Sequence, residues 1–521
     1  MSQIKLMSRA GRVVSGATAE LGETLAVQSQ ARHTPIRTMC CSNEKTLTME
    51  TLNPKIIKLQ YAVRGPLVAR AAVIKKELEK GAKKPFKTVI NANLGDAHAM
   101  QQIPITFIRQ VIACAVYPDL IKTADFPDDV KERAQSILKA CAGQKSVGAY
   151  TSSYGMDMIR NHVAEYIECR DGHPAKWENV VLCAGASSGI KHCLELFCNK
   201  VDGKDTGVLI PIPQYPLYSA TLAEYGLGQV GYYLDENNGW VLDVAELERA
   251  MCDASDKYAV RALVAINPGN PTGQVLKREN IEKIIKFAKE NSLMIFADEV
   301  YQDNVYAKGS KFYSFKKVMT EMGAPYNTVE LASFMSISKG YMGECGLRGG
   351  WMELCNLDPD VQANLYKAIS AMLCPSTIGQ IVVDCIARTP APGDPSYEQW
   401  ECEKSNTLDS LAKRAKMIVE TFNKMEGFKC NVVQGAMYAF PRIQLPKRAV
   451  EEAKKAGVPA DGFYAKRLLE DTGICIIPGS GFGQSPGTYH FRTTILPQPK
   501  LLKEMLVIFQ AFHQKFTKEY A

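Results

Sequence analysis

The chain has 521 residues, of which 46% are hydrophobic and 22% are charged, so it has an ordinary globular composition and can bury more than one core. Its net charge of +7 comes from 62 basic and 55 acidic side chains spread along the whole chain, which argues against a nucleic-acid binding protein. No run of apolar residues approaches the length of about eighteen that a membrane-spanning helix needs. The 16 cysteines and seven histidines lack metal-binding spacing, so we expect no structural metal and a reducing compartment.

The N-terminal residues have the composition of a targeting segment. Residues 1–19 contain Lys5, Arg9 and Arg12 and no acidic side chain, a bias that is typical of mitochondrial transit peptides. A variable N-terminal tail explains the same composition. We therefore predict a tail over residues 1–50 and a location in the mitochondrial matrix, with the cytoplasm as the alternative.

The first helical pattern runs from Tyr61 to Leu78, and from about residue 180 short apolar runs alternate with amphipathic helices. This alternation predicts an α/β fold with a mostly parallel seven-stranded sheet that helices cover on both faces. Ile281, Ile284 and Ile285 recur at the spacing of one helix face. The predicted strands are Val180–Leu182, Val208–Ile210, Gln229–Tyr233, Ala262–Ile266, Leu293–Ala297, Val329–Phe334 and Gly349–Glu353.

A proline-rich break at Thr389–Gly393 separates this pattern from the C-terminal part of the chain. Long helical patterns follow the break, and the last of them carries Leu502, Met505 and Phe509 on one side. We expect a smaller α+β domain there. The predicted division is residues 51–140 as an N-terminal segment with small-domain and dimer contacts, 141–390 as the large domain, and 391–521 as the small domain.

The segment Ser336–Gly350 follows an apolar strand and places a lysine, an arginine and hydroxyl groups among glycines. Lys339 there can become the nucleophilic amine of a Schiff base, while hydroxyls and Arg348 can bind a phosphate dianion. An exposed glycine-rich turn with a solvated lysine is the alternative for this segment alone.

Asp298 comes directly after the apolar run Leu293–Ala297, where burial of a carboxylate is costly unless it meets a positive partner. A protonated pyridine nitrogen is such a partner, although a helix N-cap explains the position equally well. Tyr301 can donate to a phenolic oxygen of a cofactor, or it can belong to the core.

Two further loops follow predicted strands. Asn267–Gly273 contains a doubled Asn-Pro turn, in which Asn270 can donate its side-chain amide to a ligand. Cys183–Gly189 opens a helix, so its free backbone N–H groups and hydroxyls can bind phosphate. Helix capping is the alternative reading of the second loop.

Together these segments resemble the fold type I pyridoxal-phosphate (PLP) enzymes over roughly residues 90–500. Within that fold, the chain resembles the alanine aminotransferases among the class I/II aminotransferases. The segments that carry this closer resemblance are Asn93–Met100, Ser338–Gly346, Gly435–Pro441, Pro478–Gly483 and Thr488–Arg492.

The resemblance implies a role for each matching residue. Lys339 is the catalytic residue and forms the Schiff base with pyridoxal 5'-phosphate, and Asp298 contacts the pyridine nitrogen. Asn270 and Tyr301 contact the phenolic oxygen, and Tyr215 stacks on the cofactor ring. The implied phosphate ligands are Ala186, Ser187, Ser336 and Arg348 from the same subunit and Tyr150 from the neighbouring subunit of a homodimer with shared active sites.

The implied substrate-binding residues are Arg492, which clamps the substrate carboxylate, with Gly95 and Asn270. Two departures from the family pattern concern the surroundings of these residues. Gln101 stands where the family usually has glycine, which affects the loop near Gly95. The spacing from Lys339 to Arg348 is one residue longer than in several related aminotransferases, which bears on Arg348 as a phosphate ligand.

The implied reaction is the reversible transfer of an amino group from L-alanine to 2-oxoglutarate, giving pyruvate and L-glutamate. Glutamate:glyoxylate exchange or another small-amino-acid transamination uses the same cofactor contacts. The match over the whole chain points to one branch of the family and argues against a different PLP reaction such as elimination or decarboxylation. A catalytically silent PLP-fold binding protein is the alternative from another class, and the presence of Lys339, Asp298 and Arg492 together argues against it.

Overall fold

An eight-stranded sheet forms the centre of the computed structural model, which describes residues 45–143 and 145–521. Seven of its strands coincide with the predicted ones, within a few residues at each end. The eighth, with two residues, is too short to give a sequence pattern. The strands are β1 Val180–Cys183, β2 Lys200–Val201, β3 Lys204–Ile212, β4 Gly228–Tyr233, β5 Tyr258–Ile266, β6 Met294–Asp298, β7 Leu331–Ser336 and β8 Gly350–Cys355.

The strands lie in the order β1-β8-β7-β6-β5-β3-β2, and β4 also pairs with β3. Strands β3 to β7 pair in parallel, whereas β8 is antiparallel to both β1 and β7, and β2 is antiparallel to β3. The carboxyl ends of β1, β3, β5, β6 and β7 therefore lie at one edge of the sheet. This confirms the mostly parallel α/β fold.

Both faces of the sheet are buried, which explains why its strands read as continuous apolar runs. In β5, Leu263 and Ala265 belong to one hydrophobic cluster, and Val264 between them belongs to another. Successive side chains of a strand point to opposite faces. Helices therefore pack on both sides, as the sequence predicts.

The helices begin and end near the expected residues. Helix α10 buries Ile281, Ile284, Ile285 and Ala288 and connects the neighbouring strands β5 and β6, as predicted. The helices are α1 Pro54–Lys58, α2 Pro66–Glu79, α3 Thr106–Val116, α4 Leu120–Thr123, α5 Asp128–Ala140, α6 Asp157–Asp171, α7 Ala186–Glu195, α8 Pro216–Tyr225, α9 Val244–Ala254, α10 Arg278–Glu290, α11 Phe315–Met322, α12 Pro359–Ser370, α13 Thr377–Ala387, α14 Tyr397–Phe422, α15 Lys447–Lys455, α16 Ala460–Thr472 and α17 Pro499–Tyr520.

The helix predicted to begin at Tyr61 begins instead at Pro66, after a short 3-10 helix over Ala62–Arg64. Proline is well suited to the first position of a helix, because its fixed φ and missing N–H cost nothing there. The preceding Gly65 is extended, with a φ of -73° and a ψ of -175°. This break leaves residues 61–64 outside α2.

The C-terminal part combines long helices with short strands. Helix α17 buries Leu502, Met505 and Phe509, as predicted. The remaining strands form a three-stranded and a two-stranded sheet. They are β9 Phe428–Lys429, β10 Tyr438–Ala439, β11 Arg442–Ile443, β12 Ile477–Pro478 and β13 Phe491–Thr494.

Three further predictions concern the N-terminal segment, membrane-spanning helices and the domain boundaries. The transit-peptide prediction falls on residues 1–44, outside the described residues. Within the described ranges, none of the helices has the length and apolarity required to cross a membrane. The division at residues 140 and 390 stays a prediction.

Candidate active site

One cavity of about 510 Å³ lies at the carboxyl ends of the parallel strands. Asp298 ends β6, Lys339 follows β7, and Asn270 follows β5. Each of the predicted cofactor and substrate residues lines this cavity except Tyr150. They are Gly95, Ala186, Ser187, Tyr215, Asn270, Asp298, Tyr301, Ser336, Lys339, Arg348 and Arg492.

The amine of Lys339 is held beside Gly95. Its Nζ donates a hydrogen bond of 2.8 Å to the Gly95 carbonyl oxygen and lies 5.7 Å from the centre of the Tyr301 ring. A β-carbon added to Gly95 would lie 1.8 Å from the Tyr438 hydroxyl oxygen and 3.1 Å from Lys339 Nζ. Only glycine fits there, so the backbone at Gly95 lies directly against the Tyr438 hydroxyl and the Lys339 amine.

Asp298 is buried, and one of its two carboxylate oxygens has no hydrogen-bond partner. Its Oδ2 accepts a hydrogen bond of 3.1 Å from the Tyr218 hydroxyl, whereas Oδ1 is buried without a hydrogen-bond partner. Burial raises the pKa of Asp298 to about 6, against the opposing effects of that hydrogen bond and of the Lys339 charge. Because an unpaired buried carboxylate oxygen is costly, Oδ1 fits a positively charged N–H donor such as a protonated pyridine nitrogen.

The start of α7 provides an anion-binding corner. Gly185 precedes the helix with a φ of 86°, and a β-carbon there would lie 2.5 Å from Arg348 Nη2. Arg348 donates from Nη2 to the Ala184 carbonyl oxygen at 3.1 Å. The free N–H groups at Ala186 and Ser187 and the Arg348 guanidinium therefore converge, as a phosphate dianion requires.

Arg492 also lines the cavity and is 1% exposed. Its Nη1 donates to Asn270 Oδ1 at 3.1 Å and its Nη2 donates to the Asn93 carbonyl oxygen at 2.7 Å. Its Nε is buried without a hydrogen-bond partner. The guanidinium thus keeps N–H donors for a carboxylate, which it can bind with two parallel hydrogen bonds.

Two tyrosines complete the predicted set. The Tyr215 hydroxyl lies 3.2 Å from the Tyr61 hydroxyl. Burial raises the pKa of Tyr215 and that of Tyr301 well above the ordinary value. Both phenols are therefore protonated at neutral pH, and Tyr301 can donate a hydrogen bond to an anionic oxygen in the cavity.

Several lining residues were missed by sequence reasoning. Tyr61, Ser338, Cys345 and Tyr438 line the cavity, and Tyr218 stands behind Asp298. Tyr438 belongs to a segment that carried the resemblance, but nothing local distinguished it from a core aromatic residue. The position of Tyr61 before α2 gave no signal, because its contact with Tyr215 joins distant parts of the chain.

Two residues that the sequence analysis singled out, Tyr150 and Gln101, do not line the cavity. Tyr150 is 72% exposed. Gln101 has a φ of 64° and a ψ of 28°, in the left-handed region that favours glycine. The backbone here therefore has the conformation expected at a glycine position, and Gln101 adopts it at some strain.

The residues fit pyridoxal phosphate as a set. An amine, an unpaired carboxylate oxygen, an aromatic ring and an anion-binding helix start line one cavity. The cavity also has more cations than carboxylates, since Arg64, Lys339, Arg348 and Arg492 face Asp96 and Asp298. A phosphate and a substrate carboxylate would offset that excess.

Comparison with known proteins identifies the family. Residues 116–507 match the sequence model described as aminotransferase class I and II. The chain is 56% identical over 480 residues to "Alanine aminotransferase 1" of Bos taurus, which covers 92% of this chain and 97% of that protein. It is 45% identical over 490 residues to "Probable alanine aminotransferase, mitochondrial" of Dictyostelium discoideum, covering 92% and 91%.

Solved structures agree on the fold. An alanine aminotransferase from Pyrococcus furiosus superimposes with a TM-score of 0.69 at 21% identity, covering 89% of this chain and all of that one. An Escherichia coli aminotransferase gives a TM-score of 0.68 at 21% identity, covering 89% and 98%. With its cavity suited to pyridoxal phosphate, the chain belongs to the class I and II aminotransferases, a pyridoxal-phosphate-dependent family.

Proposed function

We propose that this protein is an alanine aminotransferase that reversibly transfers the amino group of L-alanine to 2-oxoglutarate, giving pyruvate and L-glutamate. The identity of 56% with a bovine protein of that name, over nearly the full length of both chains, carries the proposal. The cavity supports it, because the side chains that such a reaction needs line one space.

The cofactor-binding roles follow from the position of each group. Asp298 Oδ1 would pair with the ring nitrogen, Asn270 and Tyr301 would contact the phenolic oxygen, and Tyr215 would lie against the ring. The phosphate would be bound by Ala186, Ser187, Ser336 and Arg348. When bound, pyridoxal phosphate supplies the carbonyl carbon that takes the amino group and the conjugated ring that stabilises negative charge at the substrate α-carbon.

Lys339 would carry the cofactor covalently and then act as the acid and base. Once the substrate amine has displaced it, its free Nζ would take the proton from the α-carbon of alanine and deliver it to the cofactor carbon that had carried the carbonyl oxygen. The hydrogen bond of 2.8 Å to the Gly95 carbonyl oxygen keeps Nζ at that position. Proton transfer then needs no bulk water.

Arg492 would bind the α-carboxylate of both substrates. Its hydrogen bonds to Asn270 and Asn93 hold two nitrogens of the guanidinium in place, so a bound carboxylate would hold the α-carbon in one orientation. Gly95 lets Tyr438 and Lys339 lie directly against the backbone, because any side chain there would collide with Tyr438.

The test is a coupled assay of purified protein with L-alanine and 2-oxoglutarate that follows pyruvate, beside the visible absorbance of the bound cofactor. Pyruvate formation with cofactor absorbance supports the proposal. Cofactor absorbance without pyruvate would contradict the alanine reaction. A panel with glyoxylate as acceptor and other small amino acids as donors would then find the substrates.

We also propose a homodimer in which Tyr150 reaches the phosphate in the neighbouring subunit. Its exposure of 72% supports this role, since a tyrosine that is exposed in the single chain is available to a partner. Mixing an inactive Lys339→Ala protein with an inactive Tyr150→Ala protein tests it. Regained activity is expected for shared sites, and its absence would contradict them.

The location in the mitochondrial matrix stays a proposal, with the cytoplasm as the alternative. The name of the Dictyostelium relative includes the word mitochondrial, and the basic N-terminal composition is compatible with import. Localisation of the full chain carrying a C-terminal fluorescent tag tests this, and removal of residues 2–44 should leave the tagged protein in the cytoplasm. A mitochondrial signal after that removal would contradict the proposal.

The division of the chain also stays a proposal: residues 51–140 as a segment that contributes to the small domain and to dimer contacts, 141–390 as the large domain and 391–521 as the small domain. The central sheet lies within the second range and the short C-terminal sheets within the third. Limited proteolysis tests it, because cleavage should concentrate near the proposed boundaries. Cleavage first within the central sheet would contradict the division.

A further inference from the structure

Arg492 is enclosed by two aromatic rings. Its guanidinium carbon lies 4.0 Å from the centre of the Tyr438 ring and 4.8 Å from the centre of the Phe482 ring. The hydrogen bonds to Asn270 and Asn93 hold Nη1 and Nη2 in place. The tilt of the guanidinium plane about that edge is restricted by the two rings. A buried cation over an aromatic face is stabilised by the ring quadrupole, so Tyr438 helps to orient the group that would bind the substrate.

The hydroxyl of Tyr438 lies at a different place in the site. A β-carbon added to Gly95 would be 1.8 Å from this hydroxyl oxygen and 3.1 Å from Lys339 Nζ, so the phenol and the amine both lie against Gly95. Lys339 Nζ also donates to the carbonyl oxygen of that glycine. The aromatic ring and the hydroxyl of Tyr438 therefore adjoin the two groups of the proposed reaction, Arg492 and Lys339.

The electrostatics of Tyr438 differ from those of the neighbouring buried tyrosines. Burial raises the pKa of Tyr215, Tyr218 and Tyr301. Burial acts in the same direction on Tyr438, but the charges of Lys339 and Arg492 and a hydrogen bond with Tyr301 together outweigh it and lower its pKa. Tyr438 is therefore the one tyrosine in this group in which nearby cations help to outweigh the effect of burial.

We propose that Tyr438 is a positioning residue with two separable parts: its ring orients Arg492, and its hydroxyl oxygen accepts a hydrogen bond from the Lys339 amine during proton transfer. The inference rests on the proposed aminotransferase function. It adds a residue that acts through Arg492 and Lys339.

This arrangement couples substrate binding to the acid-base step. A carboxylate bound by Arg492 would place the α-carbon on the side of the cavity where Gly95, Lys339 and Tyr438 meet. The protonated Nζ that results from removal of the α-proton then meets an oxygen acceptor in addition to the Gly95 carbonyl. Such a preorganised acceptor stabilises the charge that develops on Nζ.

Two substitutions separate the two parts. Tyr438→Phe keeps the ring over Arg492 and removes only the hydroxyl, whereas Tyr438→Leu removes both. The single-turnover half-reaction of the cofactor-loaded enzyme with L-alanine gives a dissociation constant and a maximal rate separately. The pH titration of the cofactor absorbance without substrate provides a readout that is independent of turnover.

For Tyr438→Phe we expect the maximal rate of the half-reaction to fall about tenfold, the effect of one lost hydrogen bond in the transition state. The dissociation constant for alanine should stay within about twofold, because the ring remains in place. The deuterium kinetic isotope effect, measured with α-deuterated alanine, should be larger in the variant than in the wild type, since proton transfer becomes slower. The midpoint of the absorbance titration should move to lower pH, because an oxygen acceptor near a protonated nitrogen is lost.

For Tyr438→Leu we expect the same loss of rate and, in addition, a dissociation constant for alanine that is raised about tenfold, since the cation no longer lies on a ring. Tyr438→Met is the second variant if the leucine protein does not fold. Tyr464→Phe is the matched control, because it removes a buried hydroxyl that contacts His513 in the C-terminal helices, and it should leave both constants and the titration unchanged.

The outcomes are distinct. Wild-type rate and titration midpoint in Tyr438→Phe would overturn the role of the hydroxyl, and a wild-type dissociation constant in Tyr438→Leu and Tyr438→Met would overturn the role of the ring. If the wild-type enzyme itself gives no half-reaction with alanine, the proposed function fails instead, and the absorbance titration still tests the hydroxyl.

Discussion

Two clusters of charged side chains in this protein have opposite characters. In the cavity, Arg64, Lys339, Arg348 and Arg492 outnumber Asp96 and Asp298. A second cluster lies between α11 and β8, where Lys316 pairs with Glu353. In the same cluster Arg170 pairs with Asp171 at 2.7 Å, and Glu299 accepts a hydrogen bond of 2.8 Å from the Phe315 N–H.

The second cluster balances its own charge. Burial raises the pKa of Glu299 to about 8, against the opposing charge of Arg170, so Glu299 is mostly protonated at neutral pH and each remaining carboxylate has a cation. The cavity has unpaired positive charge and space, which an anionic ligand can fill. Buried charge alone therefore does not mark a site, but an unbalanced set of charges around a cavity does.

The sharpest test of this comparison removes one lysine from each cluster. Lys339→Ala should lower turnover by at least about 10⁴-fold, because it removes both the covalent attachment and the acid-base group. The steady-state assay and the loss of cofactor absorbance measure this. A near-normal rate would show that Lys339 is not the catalytic lysine.

Lys316→Met is the matched control from the second cluster. It should leave the turnover of the folded protein near that of wild type, but it leaves Glu353 buried without its cation, which costs roughly 3–5 kcal/mol. The thermal unfolding midpoint should therefore fall. If Lys316→Met abolished turnover in protein that is still folded, the distinction between the two clusters would be wrong.

A smaller effect is expected for Arg492→Lys. A point charge cannot reproduce the two parallel hydrogen bonds of a guanidinium, so kcat/KM for alanine should fall about 10²-fold, mostly through KM. The cofactor absorbance should remain, because Arg492 is not among the proposed cofactor ligands. An unchanged KM for alanine would contradict its role as the carboxylate ligand.

The pH dependence of cofactor affinity tests Asp298. Its pKa of about 6 lies above its ordinary value because of burial. As pH falls through 6 in the cofactor-free protein, Asp298 gains a proton and no longer attracts a positive ring nitrogen. Wild type should therefore lose its advantage over Asp298→Asn in pyridoxal-phosphate affinity by about tenfold per pH unit below 6. An affinity ratio that is equal at pH 8 and pH 5 would contradict this.

The smallest effect is expected for Glu299→Gln. The folded-state pKa of Glu299, about 8, is above the ordinary value of 4.5, so the unfolded chain releases this proton at lower pH and stability falls as pH rises from 4.5 to 8. Glutamine keeps the acceptor for Phe315 and removes this effect. The unfolding temperature should rise by about 2 °C at pH 8 and little at pH 5, with turnover unchanged. A loss of turnover would instead link Glu299 to the site.

Much of the fold and of the candidate site could be predicted because local patterns carry it. The run ending at Asp298 is buried on both faces. In α10, Ile281, Ile284 and Ile285 are buried on one face of the helix, as their spacing predicts. The placement of Lys339 and Asp298 follows from the rule that ligands bind at the carboxyl ends of parallel strands. The antiparallel direction of β8 could not be predicted, because an apolar run reads the same in either direction.

The sequence by itself therefore determined the class of fold, the strands that end at the site, and the family to which the chain belongs, since periodicity and motifs are local properties. Only the tertiary structure decided that Tyr438 lies between Gly95 and Arg492, that Tyr218 stands behind Asp298, and which buried charges balance one another. Those facts depend on side chains far apart in the chain meeting in space, where burial and charge set their energies. No window of sequence contains both partners of such a contact.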